Sequence, residues 1–366
     1  MSEFKLTTVE EFEAATNRLL ETGAKVGADA WQFRVKNQTP HCKFGEQGIC
    51  CRICSMGPCR ITPKAPRGIC GCDAHGIVGR NFLRFTAGGA ATHSDHGREI
   101  CITLGHAKEG GDYQVKDPEK LIRIAKEWGV ETEGKDIYDL AHEMSDLAQE
   151  EYGKIRGISR WLKRAPQHTQ DLWHEAGIEP RAIDREVSCA LHMTHMGNTC
   201  KPEALIRQAL RNGLSDGWGG SMCGTEFSDV LFGTPKPIET EANLGVMNAE
   251  NVNIVVHGHD PSLSEMICEV ADSKEMIDYA KSMGAKGITI SGVCCTSNEV
   301  AMRRGIPMAG NFLQQENVVL TGACEAIVVD VQCIFPALGP LSKCFLQQSE
   351  NAEVENRSAD VSDTDV

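Results

Sequence analysis

The chain has 366 residues, of which 41% are hydrophobic and 17 are cysteines, and its formal net charge is -14. The length predicts two or three domains, and the acidic excess argues against a nucleic-acid partner. No apolar run approaches the roughly 20 residues that a transmembrane helix needs, and the first residues lack the features of a signal peptide. We therefore expect a cytoplasmic protein, in which so many cysteines favour metal ligands or catalytic groups over disulfides.

The first two predicted segments differ in how they could fold. Residues 1–36 contain a helix from Thr7 to about Thr22, where Thr8 and Glu11 have the spacing of a capping box. Residues 37–74 are rich in proline, glycine and cysteine and have little apolar periodicity. Because such a segment rarely folds by burial alone, we expect a metal core to organise it.

The remainder of the chain changes from a helical to an alternating pattern. Residues 75–236 are predicted to form a mainly helical domain, with a loop at Gly217–Gly220 and a boundary at the FGTPKP motif. Residues 237–345 alternate β-branched runs with helical segments, which predicts a Rossmann-like parallel α/β domain. Residues 346–366 are acidic and predicted to be disordered. The predicted fold class is α plus α/β, with an N-terminal cluster-binding loop and helical domain before the α/β domain.

Six cysteines in residues 37–74 form the pattern C-x7-C-C-x2-C-x4-C-x10-C. They are Cys42, Cys50, Cys51, Cys54, Cys59 and Cys70. The last four can supply the four thiolates that a [4Fe–4S] cluster usually takes. The first two would then complete a second cluster only with the same pair from another subunit, which predicts a homodimer. A structural zinc site is the alternative, and Cys72 could exchange with Cys70 or be a free thiol.

Each of three predicted strands is followed by residues of metal-ligand type. His257 and His259 follow the first strand, Cys294 and Cys295 the second, and Cys333 the third. Ligands of open parallel sheets bind at the carboxyl ends of the strands, and a mixed His/Cys set suits zinc, nickel or iron in a sulfide cluster. A single strand-end cysteine is usually a small buried hydrophobe. The repetition at three strand ends nevertheless favours a metal site.

The chain resembles the nickel-dependent, anaerobic carbon monoxide dehydrogenases from about Val35 to Phe345. The resemblance is carried, in the family's order, by CCRICSMGPCR, AATHSDHGR, FGTPKP, HGHDPSLSEM, SGVCCTSNE and DVQCIFP. It implies an oxidoreductase that converts CO and water to CO2, two protons and two electrons. It also implies that the electrons leave through [4Fe–4S] clusters to a ferredoxin-like acceptor.

The resemblance implies three cluster sites. Cys42 and Cys50 would bind the cluster shared across the dimer axis, and the other four cysteines of the segment would bind a second [4Fe–4S] cluster. A nickel–iron–sulfur cluster would be bound at His259, Cys295 and Cys333. His257 is the less favoured alternative to His259, and Cys294 would be an adjacent thiol that binds no metal.

The histidines of the AATHSDHGR motif are predicted to carry protons. His93 and His96 are three residues apart at what we expect to be the start of a helix. The family commonly continues this ladder by two further steps of three, which are Glu99 and Ile102 here. We therefore expect either no proton path along this ladder or a path with a different route from that of the family. The alternative is a capping or solvent-exposed histidine pair.

The resemblance also implies a longer protein. Family catalytic subunits continue with a second α/β half that supplies three more cysteine ligands and a lysine, whereas only Cys344 follows Cys333 here. We therefore expect the N-terminal portion of a catalytic subunit, which could arise from a truncated gene, a frameshift or an authentic short paralogue. A separate chain could supply the C-terminal half, and we do not expect activity from this chain alone. The alternative function is a catalytically inactive [4Fe–4S] electron-transfer module without a complete nickel site, and a zinc-stabilised structural protein ranks third.

Overall fold

The computed structural model describes residues 9–196 and 198–346. Of these, the residues up to Thr39 and those from Lys236 onward form one compact unit, here called the sheet unit. Pro40–Pro235 form the other, here called the helical unit. The domain boundaries drawn from the sequence stay predictions. The predicted capping residue Thr8 and the predicted disordered tail beyond residue 346 lie outside the described residues.

Two N-terminal helices, α1 (Val9–Lys25) and α2 (Trp31–Asn37), belong to the sheet unit. The backbone N–H of Trp31 donates to the carboxylate of Glu316 at 2.5 Å, and Arg34 pairs with the same carboxylate. Glu316 is fully buried. Because a buried carboxylate is tolerated only when it is paired and hydrogen-bonded, these two contacts anchor α2 to the C-terminal part of its unit.

The helical unit begins with the cysteine segment, which contains a short helix and a minimal hairpin. These elements are α3 (Lys43–Glu46), β1 (Cys50–Cys51) and β2 (Cys59–Arg60). The helices that follow are α4 (Ala74–Gly105), α5 (Pro118–Glu127), α6 (Ile137–Tyr152), α7 (Gln167–Ala176), α8 (Ile183–Thr194), α9 (Pro202–Leu214) and α10 (Met222–Phe232). A π-helical segment, Ser215–Ser221, joins the last two. The predicted loop at Gly217–Gly220 is therefore wrong, because the backbone continues from helix to helix through one wider turn.

The long helix α4 is the centre of the helical unit, where it packs against α6, α8, α9 and α10. It begins at Asp73, whose side chain accepts a hydrogen bond from the backbone N–H of Gly76 at 2.9 Å, a typical N-cap. Gly97 allows close approach of α6, since a Cβ at this position would lie 2.2 Å from the hydroxyl of Tyr152. The packing of α4 therefore depends on glycine at this contact.

The sheet unit contains four parallel strands in the order β5-β4-β3-β6. The strands are β3 (Val252–Gly258), β4 (Ile288–Val293), β5 (Met308–Gly310) and β6 (Ala326–Val329). The remaining helices are α11 (Pro261–Ala271), α12 (Lys274–Ser282), α13 (Cys294–Arg304), α14 (Gln315–Leu320) and α15 (Leu338–Leu346).

The central strand β3 is covered on both faces. Val255 packs with Val293 and Val318 on one face, and the next residue, Val256, packs with Cys268 and Val300 on the other. Burial on both faces explains the nearly continuous apolar run of a parallel strand. The combination of a helical region with a parallel α/β sheet confirms the predicted mixed fold class, while the finer Rossmann-like arrangement stays a prediction. No helix within the described ranges is both long and apolar enough to cross a membrane.

Candidate metal centres

Four of the predicted cluster ligands line one cavity of the helical unit. They are Cys51, Cys54, Cys59 and Cys70, and we call this the four-thiol cavity. The hairpin sets Cys51 directly opposite Cys59. Between them the chain turns at Gly57, where a Cβ would lie 3.1 Å from the backbone nitrogen of Cys59. The local fold thus brings together the four cysteines that the spacing selects.

The polar groups around this cavity are suited to an iron–sulfur cluster. The backbone N–H of Ile69 donates to the sulfur of Cys59 at 3.4 Å, and Arg80 donates to the sulfur of Cys70 at 3.5 Å. Within residues 9–196 and 198–346, no three His, Cys, Asp or Glu side chains converge on the position of a single metal ion. Zinc needs such convergence on one ion, whereas the thiolates of a cubane bind different irons. The four cysteines and the two N–H donors that point at their sulfurs therefore fit a [4Fe–4S] cluster.

Cys72 also lines the four-thiol cavity but is only 1% exposed. Burial and a hydrogen bond with Cys200 raise the pKa of Cys72 to about 12. Its contact with Cys200 could not be foreseen from spacing, because the two residues are far apart in the chain. The side chain of Cys72 is thus held by a partner that no local motif indicates.

Cys42 and Cys50 lie outside the residues that line the four-thiol cavity. Cys42 is exposed, and the backbone N–H groups of Gly45 and Phe44 lower its pKa. Cys50 is half-buried, and its carbonyl accepts a hydrogen bond from Asn81 at 3.0 Å. The structure therefore separates the six cysteines into the same two sets as the spacing does, while their ligand roles stay predictions.

The expected position of His93 and His96 at a helix start is wrong, because both lie well inside α4. The Nδ1 atom of His93 is 2.5 Å from a carboxylate oxygen of Asp216, which belongs to the π-helical segment. His96 is 5% exposed, so the alternative of two solvent-exposed histidines does not describe it. Burial, and secondarily the charge of His93, lower the pKa of His96 to about 4. At neutral pH the His96 imidazole is therefore uncharged.

Replacing His96 should change how stability depends on pH. A histidine whose pKa is about 4 in the folded chain and 6.5, its ordinary value, in the unfolded chain binds more protons when unfolded between these pH values. The burial of His96 therefore lowers the free energy of unfolding as the pH falls from 6.5 to about 4, and it does not lower it above pH 6.5. Between pH 7 and pH 4 we expect the free energy of unfolding to fall by about 3 kcal/mol more in the wild type than in His96→Gln.

Urea unfolding at a series of pH values would measure this difference. His75→Gln is the matched control, because His75 is an exposed histidine of the same helix, and it should retain the wild-type slope. If His96→Gln followed the wild-type pH curve, the buried neutral state of His96 would be the wrong explanation.

The strand ends of the sheet unit meet at one edge. His257 pairs with Val293 of β4 and with Val329 of β6, so the three strands end at the same level. His259 directly follows β3, Cys294 and Cys295 begin α13 directly after β4, and Cys333 lies four residues beyond β6. Parallel strands present their carboxyl ends to a common binding edge.

The two histidines of this edge have different surroundings. His257 is fully buried, and its Nε2 is 3.1 Å from the side-chain oxygen of Gln315. The amide of Gln315 also donates to the carbonyl of Cys333 at 2.9 Å. His259 lies one residue beyond the strand, and its backbone N–H donates to Asp330 at 2.6 Å. Gln315 thus ties His257 into the core, whereas Asp330 fixes the backbone at His259.

The two adjacent cysteines of this edge, Cys294 and Cys295, differ in burial. Cys294 packs into the core of the sheet unit, and burial with the neighbouring thiols Cys333 and Cys295 raises its pKa to about 12. Cys295 and Cys333 are exposed. Cys294 is thus the less accessible of the two thiols, and its role as the thiol that binds no metal stays a prediction.

Backbone strain is concentrated at the same edge. In the described part of the chain, the non-glycine residues with positive φ are Cys294 (68°), Gln332 (67°) and Cys333 (59°). Each such residue costs about 1–3 kcal/mol, and such residues cluster at functional sites. All three follow β4 or β6, next to the predicted ligands.

Sequence reasoning did not assign roles to Gln315 or Asp330. Asp330 is part of the DVQCIFP motif, and burial raises the pKa of its carboxyl to about 7, although backbone donors including His259 oppose the shift. Gln315 belongs to no motif that was singled out. Both residues support the predicted ligands through contacts that cross from one strand or helix to another.

Comparison with known proteins extends over nearly the whole chain. A family model described as Prismane/CO dehydrogenase matches residues 49–354. Carbon monoxide dehydrogenase 1 of Methanosarcina mazei is 48% identical over 338 residues, which are 91% of this chain and 54% of that protein. Carbon monoxide dehydrogenase 1 of Carboxydothermus hydrogenoformans is 44% identical over 354 residues, which are 94% of this chain and 55% of that protein.

Comparison with solved structures also finds similarity to carbon monoxide dehydrogenases. The as-isolated, nickel-free carbon monoxide dehydrogenase from Thermococcus sp. AM4 matches with a TM-score of 0.86 at 47% identity, covering 89% of this chain and 53% of that chain. The chain thus spans about half the length of the relatives it matches. The four-thiol cavity and the strand-end histidine and cysteines all lie within the region matched by the family model. The sequence resemblance is thereby confirmed, and the chain belongs to the Prismane/CO dehydrogenase family.

Proposed function

We propose that this chain is the portion of a carbon monoxide dehydrogenase catalytic subunit that holds the electron-transfer clusters and contributes to the nickel site. The proposal depends above all on the four-thiol cavity, in which four cysteines surround one space and two donors point at their sulfurs. A [4Fe–4S] cluster bound there would accept and pass on single electrons. The chain itself would hold the cluster through thiolates and stabilise its negative charge through the N–H donors.

At the sheet edge, His259, Cys295 and Cys333 would contribute three ligands to a nickel–iron–sulfur cluster. The exposure of both cysteines and the engagement of His257 by Gln315 support this set over one that includes His257 or Cys294. The bound cluster would supply the redox and Lewis-acid chemistry that converts CO and water to CO2, protons and electrons. The protein residues orient the ligands, with Asp330 fixing the backbone at His259.

The partners follow from the same proposal. The chain would act on CO and water and pass electrons to a ferredoxin-like acceptor. The remaining ligands of the nickel site would come from a region equivalent to the second half of the relatives, of which this chain spans about half the length. In the helical unit, His93, whose Nδ1 is hydrogen-bonded to Asp216, would form the proton path together with the uncharged His96, which would accept and donate protons.

The experiment is anaerobic expression followed by analysis of Fe, Ni, Zn and sulfide, with CO-dependent viologen reduction as the activity. The chain is assayed alone and with the separately expressed C-terminal half of the Methanosarcina mazei relative. Iron, sulfide, nickel and CO-dependent reduction in the mixture would support the proposal. Iron and sulfide without nickel or turnover in either sample would leave an electron-transfer module instead, and zinc alone would overturn both functions.

A pair of cysteine variants tests the nickel site separately. Cys295→Ser should abolish turnover while the iron of the four-thiol cavity remains. Cys324→Ser is the matched control, because Cys324 is a half-buried cysteine of the same unit whose thiol donates to the carbonyl of Ala326. Equal activity of the two variants would exclude Cys295 as a ligand.

We further propose a homodimer with a cluster shared through Cys42 and Cys50. Each chain offers only two thiolates of this set, so a complete cubane needs the pair from a second copy. The double variant Cys42→Ser/Cys50→Ser should therefore lower the iron content by about four ions per dimer. Cys189→Ser, at a half-buried cysteine of α8, should leave it unchanged. Unchanged iron in the double variant would contradict the shared cluster.

A further inference from the structure

A buried arginine faces the four-thiol cavity from α4. Arg80 is 2% exposed and lines the cavity together with Cys70. Its Nε donates to the carbonyl of Thr199 at 2.8 Å, and its two terminal nitrogens donate to the sulfurs of Cys70 at 3.5 Å and Cys200 at 3.3 Å. Three acceptors thus hold the plane of the guanidinium and direct one of its edges at a predicted cluster ligand.

The charge of Arg80 has no carboxylate partner among the ion pairs of residues 9–196 and 198–346; its acceptors there are one carbonyl and two sulfurs. Arginine remains protonated in proteins, and neutral thiols are weak acceptors. A buried cation of this kind is unfavourable unless an anion accompanies it. A [4Fe–4S] cluster with its four thiolates is net negative and would supply that anion at Cys70.

The position of Arg80 is fixed by close packing between α4 and the chain that precedes α9. A Cβ at Gly76 would lie 2.7 Å from the carbonyl oxygen of Cys200, and one at Gly79 would lie 3.2 Å from a methyl group of Leu205. Glycine at position 76 lets α4 approach the backbone at Cys200, and glycine at position 79 lets it pack closely against the Leu205 side chain of α9. The guanidinium is therefore held by the scaffold, so its distance from Cys70 does not depend on a flexible surface side chain.

From this geometry we propose that Arg80 is a positioning residue that holds Cys70 and raises the reduction potential of the cluster in the four-thiol cavity. The inference rests on the proposed cluster function. Reduction adds one electron to an already anionic cluster, and a nearby positive charge that donates to a ligand sulfur favours the reduced state. Arg80 keeps its proton throughout, and the electron comes from the low-potential dye used in the titration.

The experiment is a redox titration of the anaerobically prepared protein, followed by EPR, with iron and sulfide measured in each sample. The signal of this cluster is identified by its loss in Cys70→Ser. The variants are Arg80→Gln, Arg80→Lys and the matched control Arg84→Gln. Arg84 lies one turn further along α4, is half-buried, and donates from Nε to Thr194 at 2.6 Å instead of to a sulfur.

At a fixed solution potential, Arg80→Gln should lower the ratio of reduced to oxidised cluster about tenfold. For a one-electron couple, this means that the reduction potential of the cluster is lower by about 59 mV. Arg80→Lys keeps the charge but loses the planar fork, so we expect an intermediate shift. Arg84→Gln should match the wild type. Equal potentials in Arg80→Gln and Arg84→Gln would overturn the inference.

Loss of the cluster from Arg80→Gln would make Arg80→Lys the deciding variant. If Arg80→Lys binds the cluster and the cluster has a lower reduction potential than in the wild type, the inference is supported. If Arg80→Lys binds the cluster and the reduction potential equals that of the wild type, the inference is overturned. Loss of iron from both Arg80 variants, with Arg84→Gln loaded, would also overturn the tuning role in favour of a role in cluster assembly. Absence of iron from the wild type would instead contradict the proposed function.

Discussion

Cys70→Ser is expected to lose about four iron ions per chain with the corresponding sulfide, because a cubane that lacks one of its four thiolates is not stably held. The part of the cysteine segment that this cluster orders, between Cys51 and Cys70, should become less ordered at the same time. Its minimal hairpin of two-residue strands offers little apolar burial, so cluster binding would supply much of the free energy that orders it. Iron and sulfide analysis, visible absorbance and the rate of limited proteolysis within residues 40–73 would measure both effects.

Cys72→Ser is the matched control for this experiment. Cys72 lines the same cavity two residues away, but its thiol is buried against Cys200. Cys70, in contrast, accepts the hydrogen bond from Arg80. We therefore expect Cys72→Ser to retain its iron. The opposite pattern, in which Cys72→Ser loses the cluster and Cys70→Ser keeps it, would exchange the two ligand assignments.

Gly258→Ala is expected to destabilise the sheet unit by about 3 kcal/mol or more, since it combines backbone strain with a steric clash. Gly258 is the last residue of β3 and has a φ of 141°. A Cβ at this position would lie 1.7 Å from a carboxylate oxygen of Asp330. Asp330 would have to move, and it would then lose the hydrogen bond that it accepts from the backbone of His259.

The clash can be separated from the strain with a second glycine of the same unit. Gly284 has a φ of 100°, but a Cβ there would meet no atom within 4 Å. Gly284→Ala should therefore cost only the strain, about 1 kcal/mol at the low end of such effects. Urea unfolding of both variants would measure the difference, and nickel and iron analysis of each variant mixed with the C-terminal half should show a loss for Gly258→Ala alone. Equal stabilities would mean that the contact between Gly258 and Asp330 does not constrain the edge.

The strands and the cysteine set could be predicted because their signals are local. The β-branched run at Asn251–Val256 overlaps most of strand β3 and the run at Ala326–Val331 contains β6, since buried parallel strands need continuous apolar side chains. The four cysteines of the cavity are close in sequence, so one hairpin and one turn are enough to bring them together. Assigning the last four cysteines to one cluster leaves Cys42 and Cys50 as a pair, although Cys50 directly precedes Cys51.

Other features could be seen only in the folded chain. His93 and His96 lie inside a helix of 32 residues, because the packing of α4 against four neighbouring helices outweighs the two glycines at Gly88 and Gly89 that weaken the local helical pattern. The π-helical turn between α9 and α10 likewise follows no local signal that distinguishes it from a loop.

The amino-acid sequence by itself therefore determined the parallel sheet and the family, and it predicted which residues could bind metal. The tertiary structure decided which side chains and backbone groups form hydrogen bonds with those residues. Arg80 reaches Cys200 across 120 residues, and Gln315 joins His257 to the carbonyl of Cys333. Such contacts depend on how helices and strands pack in space, and no periodicity or spacing along one segment encodes the distance between side chains of two separate elements.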